Sequence, residues 1–270
     1  MTATMTGNAD ENIRPMHFGR LNTLFGICHH PSASNGWGVV ICNPLAEQAI
    51  RAHGTLKNLS VRLCRDGFHV LRFDYSNTGN SGDSTEGPLI SRWLEDVDAA
   101  IALARSMPGV DHIALIGLRF GAALAGTAAL KNSVDRLVLW DPQLHGKKTL
   151  EQLANDHKDY LQAEIGDSRY QPLNQGEEAL GLPLTQAFKA ELADFSTDGV
   201  PIPRDTVMVL SRESSEDVVN LSESFDYPAG HITVSQFDAA DWDTDEALNM
   251  ATLPVNVIAA VVDYLSEGVR

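Results

Sequence analysis

Short apolar runs alternate with helix-spaced patterns along most of the chain. Residues 38–42, Gly-Val-Val-Ile-Cys, are continuous and β-branched, which predicts a strand buried on both faces. Runs at 24–28, 69–74, 112–116, 136–140, 207–210 and 232–237 predict further strands. Helical spacing predicts helices over 46–65, 89–106, 120–130 and 254–265. In the second of these, Ile90, Trp93, Leu94, Val97 and Ile101 share one face. Gly67 stands where a helix C-terminal glycine belongs, and Pro254 sits in the first turn of the last helix. The fold class this predicts is α/β, a doubly wound, mostly parallel sheet of about eight strands with helices on both faces.

The pattern changes between Trp140 and Val207. From about 143 to 198 the chain is charged, helical and without strand signals, too long a connection for two strands of one sheet. It reads as a helical cap inserted over the carboxyl ends of the strands, where ligands bind in such sheets. The expected organisation is a disordered stretch over 1–12, a core made of 13–142 and 199–270, and a cap over 143–198.

Composition narrows the function classes. The formal net charge is -16, so an anionic polymer or headgroup surface is repelled; nucleic-acid binding and membrane association are not expected. Cys28, Cys42 and Cys64 show no CxxC spacing and imply no disulfide framework, which points to a reducing, cytoplasmic setting. The first dozen residues lack the apolar run of a signal peptide, and no stretch approaches the roughly 18 apolar residues of a membrane span.

One motif carries chemistry. The run 112–116 ends in Gly117-Leu118-Arg119-Phe120-Gly121-Ala122, and a small-residue helix begins at once. Strand, G-x-x-x-G, helix is the geometry of a nucleophile elbow. The middle residue sits on a strained turn, two glycines let neighbouring backbone pass close, and the next residue presents an N–H at the positive end of a helix. A tight turn of a nucleotide-binding fold is the plainer alternative, but no GxGxxG or GKS/GKT run is present.

With that motif the chain resembles the α/β-hydrolase family over nearly its whole length, and within it the serine-aminopeptidase-like group and the hydrolase-like proteins associated with exosortase systems. The stretches are Cys42-Asn43-Pro44-Leu45-Ala46-Glu47, similar to the family's oxyanion loop, and Phe73-Asp74-Tyr75-Ser76-Asn77-Thr78-Gly79-Asn80-Ser81, similar to its aspartate, glycine and serine loop. Leu139-Trp140-Asp141-Pro142 with Gly146-Lys147-Lys148, and Leu180-Gly181-Leu182-Pro183-Leu184 in the cap, resemble the exosortase-linked members.

The resemblance implies a serine at position 119, where this chain has arginine. A guanidinium stays protonated and serves neither as nucleophile nor as general base. It implies an acid after the seventh strand, where Glu213 stands, or after the sixth, where Asp141 stands. It implies a histidine after the last strand, where Trp242 stands, and no histidine follows His231. Topology puts His69, His112 and His231 at strand starts, away from the site, and His29 and His30 at the end of an antiparallel strand. Of His53, His145 and His157, His145 lies nearest, shortly after the strand ending at Trp140. Ser76, Ser81 and Ser211 are stand-in nucleophiles without an evident base.

Two readings of Arg119 stand side by side. As an anion site, a fixed cation at a helix N-terminus joins the N–H groups of Phe120 and Leu45 to hold a carboxylate, phosphate or enolate. As a plug, it pairs with Asp74, Asp141 or Glu213 and fills a dead pocket. The leading expectation is an atypical hydrolase-fold protein with a degenerate triad. It binds a small anionic or acyl-bearing metabolite through Arg119, Asp141, Glu213, Pro44, Leu45, Phe120, Asp74, His145 and Trp242, with no metal or organic cofactor, and any chemistry proceeds without a covalent intermediate. The first alternative is a catalytically inactive scaffold, a pseudoenzyme docking a protein partner in cell-envelope or exopolysaccharide systems. The second is an esterase or thioesterase with an unrecognised nucleophile.

Overall fold

The computed structural model describes residues 12–82, 87–165, 177–198, 207–211, 232–236 and 255–269. The order is β1 (Asn12–Phe18), β2 (Leu24–His30), β3 (Trp37–Cys42), α1 (Ala46–Arg65), β4 (His69–Phe73), α2 (Ile90–Arg105), β5 (His112–Leu118), α3 (Phe120–Lys131) and β6 (Arg136–Trp140). Then come α4 (Gly146–Ile165), the two-residue strands β7 (Glu178–Ala179) and β8 (Leu182–Pro183), α5 (Gln186–Asp194), β9 (Val207–Ser211), β10 (Ile232–Gln236) and α6 (Val255–Ser266).

One sheet runs β1-β2-β4-β3-β5-β6-β9-β10. The strands from β4 to β10 in that order are mutually parallel, and β2 and β1 extend the β4 edge by antiparallel pairing. Central β3 shows why the sheet is covered twice. All six of its residues are buried, and they alternate between two cores. Val40 and Cys42 join one core with α2 and α3, while Val39 and Ile41 join the other with α1 and α6. Helix α1 meets the second core through Ala52, Leu56, Leu59 and Leu63, spaced three or four apart. The doubly wound, mostly parallel α/β architecture predicted from periodicity is therefore present.

Two elements differ from expectation. No strand is predicted before residue 24, yet β1 lies at the sheet edge. Its first four residues are exposed and it contains Pro15, so it shows no alternation, and edges are where a strand tolerates proline. The stretch between β6 and β9 was expected without strands, but β7 and β8 form a minimal hairpin around Leu180 and Gly181, both at positive φ. Its helices pack on the body: the Phe188 ring meets Trp93 edge-on at 5.2 Å, and Glu191 accepts hydrogen bonds from the Ser91 N–H and hydroxyl at 2.8 and 2.9 Å. Among the described residues, no helix is long and apolar enough to cross a membrane. Cys28, Cys42 and Cys64 are buried and form no disulfide among the described residues.

Burial also sets an acid limit. His29 is fully buried on β2, and among the described residues neither ring nitrogen has a hydrogen-bond partner. Burial, then Arg72, Lys57 and His30, lower its pKa from 6.5 to about 4. The unfolded histidine gains a proton as pH falls through its ordinary value while the folded one stays neutral. This contribution to stability is therefore intact above pH 6.5 and lost as pH falls towards about 4. Asp96, raised by burial to about 6, pulls the opposite way, since the folded state keeps that proton longer. A His29→Leu variant isolates the first effect. Its stability relative to wild type, from urea unfolding, should rise by on the order of 3 kcal/mol between pH 7 and pH 4. A difference that does not change with pH removes His29 from the acid response.

Candidate functional site

Arg119 is the single residue between β5 and α3, and it sits at φ +56. Bulky side chains rarely adopt that backbone region. The flanking glycines explain it. A methyl added at Gly121 would land on the carbonyl oxygens of Cys42 and Asn43, and one at Gly117 on the backbone of Gly121 and Ala122. The backbone here therefore has the elbow geometry predicted from the spacing. It is tied to the end of β6: the Arg119 N–H donates to the Trp140 carbonyl at 2.9 Å, and the Gln143 N–H donates to the Arg119 carbonyl at 3.1 Å.

The Arg119 side chain does not reach outward. The residue is 5% exposed, its Nη1 donates to Asp141 Oδ2 at 3.0 Å, and its Nε approaches Gln48 Oε1 at 3.5 Å. Asp141 is itself buried and also at positive φ, 45. Of the carboxylates expected beside Arg119, the structure brings in Asp141. Gln48 is not marked by the sequence pattern; its position in the first turn of α1, directly after the loop that follows β3, is the available signal.

A cavity of about 460 Å³ opens beside this corner, at the carboxyl ends of β3 and β4. Pro44, Leu45 and Asp74 line it, as do Leu180 and Leu182 from the hairpin. Arg119, Asp141, Phe120 and His145 are not in its wall. Phe120 is fully buried against Phe195, and His145 immediately precedes α4 with Asp198 3.9 Å away. Glu213 and Trp242 lie outside the described residues.

The loop after β4 is held by its own polar groups. Asp74 Oδ2 accepts from the Asn80 N–H at 2.9 Å, and the Ser81 hydroxyl donates to the Asp74 carbonyl at 2.5 Å. Ser81 is thereby spent on structure. The Ser76 hydroxyl donates to Asp96 Oδ1 at 2.9 Å, and the Ser76 N–H to Oδ2 at 2.7 Å. Asp96 was not foreseen, because it lies on the buried face of α2; with both bonds going to one residue it braces a turn. Asn43 Nδ2 donates to the Phe73 carbonyl at 2.7 Å and the Tyr75 hydroxyl to the Asn43 carbonyl at 3.2 Å, fixing the loop after β3 against β4.

Solved structures with this architecture are numerous. An esterase from Pyrococcus furiosus has a TM-score of 0.63 at 16% identity, over 98% of this chain and 97% of its own. An alpha/beta hydrolase from Penicillium has 0.61 at 15%, over 95% and 99%. Mouse alpha/beta hydrolase domain-containing protein 10 has 0.56 at 13%, over 94% and 99%. No family model and no curated protein matches the chain. Sequence order, sheet order, elbow backbone and these structural likenesses agree: the chain has the α/β-hydrolase fold.

Proposed function

We propose that this protein has no acyl-enzyme chemistry and instead binds a small ligand in the cavity under the 143–198 insertion, which serves as its cap. The observation that carries the reading is Arg119 at the elbow, 5% exposed and held by Asp141. The atom that would attack a carbonyl is replaced by a permanent cation already bonded to a carboxylate. Charge on both partners is retained inside the fold, at a cost that apolar residues would avoid. Chemistry without a covalent intermediate stays open to such a site, with the backbone N–H of Leu45 in the cavity wall as a donor and Glu213 and Trp242 as further candidate residues. An anion placed directly on Arg119 has less support, since the cavity wall does not include that residue. The filled corner also favours a second reading, an inactive scaffold that docks a protein partner.

A fluorophosphonate probe tests the loss of nucleophile, because it captures activated serines covalently. Intact-mass measurement after prolonged incubation should show the unmodified chain. A stoichiometric adduct on any serine would overturn the reading and restore the esterase alternative.

A further inference from the structure

We infer that the cavity is a carboxylate site anchored by Arg72, accepting a small monocarboxylate with an apolar body. The inference rests on the cavity being the ligand site, as proposed above, and moves the anchor from Arg119 to a residue two strands away.

Arg72 lies in the middle of β4, is 8% exposed and forms part of the cavity wall. Among the described residues its Nε has no hydrogen-bond partner. A guanidinium withdrawn from water normally recovers its lost hydration through hydrogen bonds, and one left short of them is costly. Asp74 is the acidic group that favours its charge, yet Asp74 spends Oδ2 on the Asn80 N–H. Arg72 therefore places a positive charge, with a buried and unpartnered Nε, in the cavity wall of a chain whose formal net charge is -16. Arg119 is in the contrasting state, with its carboxylate already bound.

The rest of the wall defines the ligand. Helix α1 begins at the cavity, with Leu45 and Ala46 in the wall. Leu45 at the N-cap makes no side-chain capping bond, and the positive end of the helix dipole lies at this end of the cavity. Two independent features thus favour negative charge in one place. The planar fork of arginine matches a carboxylate with two parallel bonds. Asp74, also in the wall, opposes a second negative charge, which selects a monoanion. His53 is held neutral at pH 7 because burial, then Arg72 and Lys57, lower its pKa, so it adds a hydrogen-bonding group and no charge. Phe25, Ile27, Leu56 and Leu182 give the wall an apolar side, Asn43, Asn77, Thr78 and Asn80 add uncharged polar groups, and a volume of about 460 Å³ is of small-molecule size.

Calorimetric titration with octanoate and its uncharged isostere octanamide tests this. The proteins are wild type, Arg72→Met, Arg72→Lys and Leu182→Trp, each first shown to be folded by circular dichroism. Octanoate should bind wild type at least tenfold more tightly than octanamide. Arg72→Met should lose at least tenfold for octanoate and nothing for octanamide, and Arg72→Lys should fall between. Equal binding of acid and amide, no octanoate binding to wild type, or octanoate binding unaffected by Arg72→Met each overturns the inference. The acid–amide comparison on wild type decides the matter even where a variant misfolds. Failure of the cavity reading itself looks different: octanoate then binds Leu182→Trp, whose indole fills the cavity from the hairpin, as tightly as wild type.

Discussion

Asp141→Ala is expected to destabilise the protein by about 3–5 kcal/mol, among the largest effects of any single truncation in the chain. The side chains of Arg119 and Asp141 are 6% and 11% exposed, and they meet at 3.0 Å. Removing the carboxylate takes the charged partner from a buried guanidinium that cannot lose its proton. Arg119→Met should cost less, because a solitary carboxyl group escapes the penalty by taking up a proton. The double variant Arg119→Met with Asp141→Leu should recover most of the loss, since an apolar pair of similar volume needs no desolvation. Urea unfolding midpoints for the four proteins check the cycle. A cost below about 1 kcal/mol for Asp141→Ala would mean that water or another group already satisfies Arg119, and the corner would then be wet rather than filled.

Gly121→Ala should cost about 4 kcal/mol or more, or prevent folding, although it adds one methyl group. The atoms in its way are the carbonyl oxygens of Cys42 and Asn43, which belong to backbone and cannot swing aside. Relief requires α3 to move off the end of β3, and α3 is packed on β5, β6, α2 and β3. Gly54→Ala is the control. It lies inside α1 with nothing within 4 Å of the added methyl, so it should stabilise by roughly 0.5–1 kcal/mol through helix propensity alone. Thermal melts of both variants make the comparison, and a Gly121→Ala protein as stable as wild type would refute the close approach.

These two predictions also mark what a reader of the sequence sees. The spacing of Gly117 and Gly121 around Arg119 announces the elbow, because few arrangements require two glycines four apart between a buried strand and a helix. Runs such as 38–42 and 136–140 announce the sheet, since continuous apolar residues of strand length need cover on both sides. β1 stays hidden because an edge strand with exposed residues has no period to detect. Arg72 stays hidden for another reason. A single charged residue in a strand of buried neighbours has no sequence mark to say whether it points at solvent, at a partner or at a cavity, and that depends on what α1 and β2 place around it. Asp141 was legible as a member of the site, and Gln48 and Asp96 were not, because pairing across 71 and 20 residues is fixed by packing and not by local pattern.

The backbone ties of Arg119 have a mechanical consequence. Its N–H and carbonyl are both engaged with the chain segment that leaves β6, through Trp140 and Gln143, while its side chain grips Asp141 between them. Residue 119 thus works as a rivet: sheet, helix α3 and the outgoing segment of the insertion are fastened at one point by three bonds from one residue. A force or ligand that rotates the outgoing segment must break that fastening or carry the elbow with it. Motion of the insertion and the geometry of the corner are therefore one degree of freedom, and the rigidity of the corner is set by main-chain bonds that survive any change of the side chain at 119.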